Sequence, residues 1–156
     1  MHSAVKAFFL GNAAIFGGYL VMNGPSSLMY KKFLTLQDNS SITSLPFCHF
    51  AHTSPFNFAV NSAVLLTIGN FHARKYGCAH MVGLFGVSMA VASGLGLMHS
   101  MKNEGKVIAG GNALSAGLVT YNVFKNPAWF TYVRMHPLGW LAGLTLFAAF
   151  QNDKAV

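Results

Sequence analysis

Charged positions are sparse along this chain, and they divide it. Marking every Lys, Arg, Asp and Glu leaves five long uncharged windows: 7–30, 39–73, 76–101, 107–124 and 135–152. A helix that crosses a bilayer needs about 20 mostly apolar residues. The first window holds an apolar run over 7–22 that stops at the breaker Asn23-Gly24-Pro25. The second opens on polar Ser40, Ser41, Thr43 and Ser44, which narrows its span to about 47–69. The third runs over 76–98 and the fourth over 107–124. The last is long enough only if 128–135 leads into it, with Arg134 near the interface. The pattern therefore predicts helices over about 7–23, 47–69, 76–98, 107–124 and 128–151, joined by tight loops. The expected fold is one all-α integral membrane domain over 1–156, with about five transmembrane helices.

Composition supports that reading. Charged residues make up 8% of the chain against about 25% in a soluble domain, and 53% of residues are hydrophobic. So few charges cannot cover a soluble surface, and the high hydrophobicity excludes disorder. The formal charge of +7 comes from ten Lys and Arg against Asp38, Glu104 and Asp153. The basic residues are spread singly or in pairs. The doublets Lys31-Lys32 and Arg74-Lys75 sit at the ends of apolar runs, as interface anchors do, so no nucleic-acid partner is expected. Lys6 precedes an apolar run longer than the 7–15 residues typical of a secretory signal, so the first segment is expected to be retained as a helix. With five spans, Lys6, Arg74, Lys75, Lys125 and Arg134 fall on one face. Lys31, Lys32, Lys102, Lys106 and Lys154 fall on the other with all three acids, so counting Lys and Arg gives no orientation.

No acid lies inside a predicted span, which disfavours proton pumps and ion-coupled transporters. Cys48 and Cys78 begin consecutive helices and so approach opposite faces. They are expected to stay unpaired as small core residues. His49 and His52, at i and i+3, are expected near each other on one helix face. Haem or metal ligation needs further ligands from other helices. His80, His99 and His136 are candidates that no spacing selects, so neither metal nor cofactor is expected. Glycines recur within the helices at Gly17-Gly18, Gly83 and Gly86, Gly94 and Gly96, Gly110 to Gly117, and Gly139-x-x-x-Gly143. Small residues let membrane helices approach closely, so these are expected to be packing positions.

Three stretches together resemble the rhomboid intramembrane serine proteases, over about residues 31–150. Phe50, His52, Asn57 and Asn61, followed by an apolar run and Gly69, are similar to the family's F-x-H-x-x-x-x-H-x-x-x-N pattern, with Asn57 in place of the second His. The resemblance implies that His52 and Asn61 match residues that stabilise the oxyanion in active members. Gly110-Gly111-Asn112-Ala113-Leu114-Ser115-Ala116-Gly117 is similar to the family's G-x-S-G-x-x-x-G, with Asn112 in place of the nucleophilic Ser. His136, Gly139 and Gly143 resemble A-H-x-x-G-x-x-x-G, which would place His136 at the catalytic base. The implied architecture is a compact rhomboid-like bundle.

The departures from the family decide the expected function. An amide has no ionisable group to pair with a general base, so Asn112 cannot act as nucleophile. Ser115 lies one turn further in and would need His136 within about 3 Å. Active members place a whole helix between the Ser-bearing and His-bearing helices. Here Lys125-Asn126-Pro127 and about ten further residues intervene, too few for a span. The chain is therefore expected to be a degenerate rhomboid-like protein and not an enzyme. Residues His49-Phe50 look most like the mitochondrial branch. That likeness implies an accessory subunit of an inner-membrane assembly, a respiratory-chain complex or ATP synthase. Its partners would be other membrane subunits and lipids such as cardiolipin. A derlin-like alternative would bind transmembrane clients through a hydrated groove at His52, Asn57, Asn61 and Asn112. A third reading is a haem- or quinone-associated anchor. Beside these stands a plain structural role, in which Asn57, Asn61 and Asn112 hydrogen-bond between helices at roughly 0.6 kcal/mol each.

Overall fold

The first helix, α1 (Ser3–Val21), begins where His2 caps it. The imidazole accepts the Ala4 N–H at 3.4 Å, and the His2 carbonyl accepts the Lys6 N–H at 3.0 Å. The computed structural model describes residues 1–22, 44–52, 54–100 and 112–128, and among these every regular element is helical. Val5, Asn12 and Phe16 are the buried positions of α1, while Leu10, Leu20 and Val21 face outward.

The single helix predicted over 47–69 is broken in the structure. Helix α2 (Ser44–Phe47) passes into a 3-10 turn at Cys48–Phe50, and the chain then extends at Ala51, with φ −75° and ψ 142°. A new helix, α3 (Pro55–Val64), starts at Ser54, whose hydroxyl accepts the Asn57 N–H at 3.1 Å. Two local effects force the break. Proline pushes the residue before it out of the helical region, and it is itself well suited to the first helical position. His49 and His52 consequently do not share a helix face.

The helix also continues past 69. Backbone angles stay helical through a π stretch at Leu65–Gly69 into α4 (Asn70–Tyr76). The Thr67 hydroxyl donates to the Ala63 carbonyl at 2.6 Å, a side-chain competitor for the normal ladder at the point where the helix widens. The stop is Gly77, at φ +89°, in the left-handed region that favours glycine. Arg74 and Lys75 thus form the last turn of a helix, where their charge complements the helix dipole.

After this one-residue turn, α5 (Cys78–Ser100) closely follows the predicted 76–98, and α6 (Asn112–Lys125) covers most of the predicted 107–124. Residues 127 and 128 are helical; the remainder of the predicted last helix lies outside the described residues. Among the described residues, two helices are long and apolar enough to cross a membrane: α1, with 19 residues, and 21 residues of α5 from Cys78 to Met98.

The core forms where α3, α4, α5 and α6 meet the start of α1. It comprises Val5, Val64, Leu65, Ile68, Ala73, Met81, Phe85, Leu114, Leu118, Val119 and Val123. Phe8 meets Phe85 edge to face at 4.8 Å, and Phe16 stacks on Phe58 at 4.6 Å. By contrast α5 turns Val82, Val87, Val91, Leu95, Leu97 and Met98 outward. Glycine positions divide in the same way. A Cβ at Gly69 would lie 3.1 Å from a Leu65 methyl and 3.5 Å from a Leu118 methyl. At Gly17, Gly18, Gly83, Gly86 and Gly94 it would meet nothing within 4 Å, so these five are not close-packing positions within the described chain. Cys48 is buried, Cys78 is exposed, and neither forms a disulfide.

Candidate functional site

A buried chain of polar side chains runs across the bundle and joins three helices and the extended link before one of them. Asn12 comes from α1, His52 from the extended link before α3, Asn57 and Asn61 from successive turns of α3, and Ser115 from α6. All five are buried. His52 Nε2 lies 3.1 Å from Asn12 Oδ1, and its Nδ1 lies 3.2 Å from Asn57 Oδ1. A neutral imidazole carries one N–H and so donates to one of these two oxygens at a time. The Asn61 amide donates to Asn57 Oδ1 at 2.5 Å and to the Asn57 carbonyl at 2.9 Å. At the far end, the Ser115 hydroxyl donates to Asn61 Oδ1 at 2.5 Å. Asn12 in turn donates to the Phe8 carbonyl at 2.8 Å. Phe16 and Phe58 pack edge-on against the His52 ring at 6.2 and 5.3 Å, which fixes its plane.

Asn12, His52, Asn61 and Ser115 also line a cavity of about 20 Å3, closed on its apolar side by Leu65, Phe85 and Leu118. A water needs roughly 10–15 Å3 and two to four polar partners, so the cavity fits one water. The chemistry of the chain is limited by its groups. Ser115 gives its proton to an amide oxygen, which is not a general base.

Four of the residues singled out in the sequence, His52, Asn57, Asn61 and Ser115, therefore meet. Asn112 is the first residue of α6, in the same helix as Ser115 and Gly117. Gly110, His136, Gly139 and Gly143 lie outside the described residues. His49 does not share the helix face with His52 that the i, i+3 spacing predicts. Its Nε2 pairs with the Ser93 hydroxyl of α5 at 2.8 Å. Sequence reasoning missed Asn12, although an Asn inside an otherwise apolar helix is itself a signal that a buried partner exists.

It also missed a second cluster, where α4, α5 and α6 meet. His72 Nε2 and His80 Nδ1 are 3.0 Å apart, and the Tyr121 hydroxyl is 3.2 Å from His80 Nε2. Asn122 Nδ2 lies 3.0 Å from His72 Nδ1 and donates to the Leu118 carbonyl at 2.8 Å. Asn126 Nδ2 donates to Asn122 Oδ1 at 3.2 Å and to the Tyr76 hydroxyl at 2.9 Å. One consistent direction satisfies the whole chain. Asn126 donates to Asn122, Asn122 to His72, His72 to His80, and His80 to Tyr121, each imidazole in that direction accepting at Nδ1 and donating from Nε2. Part of the signal was present as i, i+4 spacing: His72 with Tyr76, and Asn122 with Asn126. Among the described residues, no three His, Cys, Asp or Glu side chains converge as a metal site would require.

Comparison of the chain with models of protein families, with curated proteins and with solved structures found no match.

Proposed function

We propose that this chain is a catalytically inactive, rhomboid-like membrane protein that serves as a structural subunit of a larger assembly. The observation that carries the reading is the bond from Ser115 to Asn61. The hydroxyl nearest the lost nucleophile position is committed to an amide in a buried network, as in a bundle whose polar groups hold helices together. The outward apolar face of α5 adds support, since it suits lipid or the helices of neighbouring subunits better than water.

The resemblance to mitochondrial rhomboids supports an assembly of the inner membrane, a respiratory-chain complex or ATP synthase. Blue-native electrophoresis of mildly solubilised membranes tests this. Co-migration with a large complex is expected, and migration only as a free monomer overturns it. Protease protection in isolated mitochondria tests the location separately.

A further inference from the structure

At the end of the bundle where α4 turns into α5, the described side chains carry only positive charge. Lys6 lies near the start of α1, Arg74 and Lys75 lie in the last turn of α4, and Lys125 closes α6. Two hydrogen bonds gather these ends. The His2 backbone N–H donates to Asn70 Oδ1 at 2.8 Å, and Lys75 Nζ donates to Asn126 Oδ1.

We propose that the groove along α4 at this end binds the phosphate of an anionic phospholipid headgroup, with Arg74 and Lys75 as its ligands. This rests on the membrane-embedded reading above and names one of the lipids that reading calls for. The groove measures about 370 Å3 and is lined by Thr67, Asn70, Phe71, Arg74 and Lys75. That is within the roughly 300–1,000 Å3 of small-molecule sites. Thr67, Asn70, Phe71 and Arg74 follow i, i+3, i+4, i+7 spacing, so they form one stripe. The stripe is cationic at its Gly77 end and aromatic one turn deeper, which matches a headgroup followed by an acyl chain.

Each cation has the right form. Arg74 is exposed, and its planar fork matches two phosphate oxygens. The Lys75 ammonium sits 5.7 Å from the Phe71 ring centre and 5.5 Å from that of Tyr76, and it donates to Asn126. These partners orient the charge without neutralising it. Their depth is also right. The apolar span of α5 begins at Cys78, just past Lys75, which puts both cations at the level of lipid headgroups.

The test uses the full chain in nanodiscs of phosphatidylcholine alone or with phosphatidylglycerol, with bound lipid counted by native mass spectrometry. Phosphatidylglycerol is expected to be retained in preference. The double variant Arg74→Gln/Lys75→Gln should weaken that retention about tenfold or more, with phosphatidylcholine unchanged and helical content preserved. Lys125→Gln removes a charge from the same end outside the groove and should keep the selectivity. Equal retention of both lipids overturns the proposal, as does an equal loss in Lys125→Gln. Displacement of phosphatidylglycerol by millimolar inorganic phosphate would also overturn it, by identifying the ligand as free phosphate. Release of the chain from membranes by alkaline carbonate is a separate result that would remove the membrane reading itself.

Discussion

Gly117 on α6 and Ser88 on α5 stand so close that a methyl group at 117 would lie 2.9 Å from the Ser88 Cβ and overlap its Oγ. The Ser88 hydroxyl is already held by the Leu84 carbonyl at 2.8 Å, so it cannot swing away without losing that bond. This contact fixes the spacing of the two helices that frame the core.

Gly117→Ala is accordingly expected to destabilise the bundle by about 1–3 kcal/mol, the usual cost of overpacking. Ser88→Gly should restore part of that loss, so the double variant is more stable than the sum of the single changes predicts. Gly83→Ala, which faces open space, should be neutral or stabilising by up to about 1 kcal/mol through helix propensity. Reversible unfolding in detergent measures all three.

Asn61 bridges Asn57 and Ser115. Asn61→Ala leaves both partners buried and short of a bond, at an expected cost of about 1–2 kcal/mol. Ser115→Ala should cost less, because Asn61 keeps its bonds to Asn57. A double-mutant cycle between Asn61 and Ser115 is expected to give a coupling of about 0.5–1.5 kcal/mol. Additive losses would mean that the two side chains do not interact.

Serine nucleophiles react with fluorophosphonates because a base takes the hydroxyl proton. An amide oxygen does not, so Ser115 is expected to remain unlabelled by a fluorophosphonate probe in native membranes. Labelling that disappears in Ser115→Ala would overturn the inactive reading.

The second cluster has a buried end and an open end. Asn122 and His72 are fully buried, whereas His80 is exposed. Asn122→Ala should therefore cost about 1–2 kcal/mol, since it strands a buried imidazole nitrogen. Tyr121→Phe should cost less, because water can replace the lost partner of His80. The ranking of the two unfolding free energies is the check, and the reverse order would argue against the directional chain.

Sequence pattern located α1, α5 and most of α6 to within a few residues, because an apolar run bounded by charges or breakers is a local property. It failed at the second helix for an equally physical reason. No charged residue interrupts Phe47 to Gly69, so dividing the chain at its charges does not mark the extended stretch at Ala51. That break is set by the Ser54-Pro55 start signal, and the true end by the left-handed backbone at Gly77. Both signals are local and were legible, but they concern backbone conformation and not polarity.

By itself the sequence determined that the chain is helical, apolar and poor in charge, and that His52, Asn57 and Asn61 are polar groups in apolar surroundings. Only the tertiary structure decided what those groups do. His52 meets Asn12 across 40 residues of chain, and Asn61 meets Ser115 across 54. No periodicity reports such pairings, because they depend on how far each helix is turned and slid against its neighbours. Burial then makes the pairing compulsory: a polar group taken out of water must find a partner, and here the partners lie on other helices.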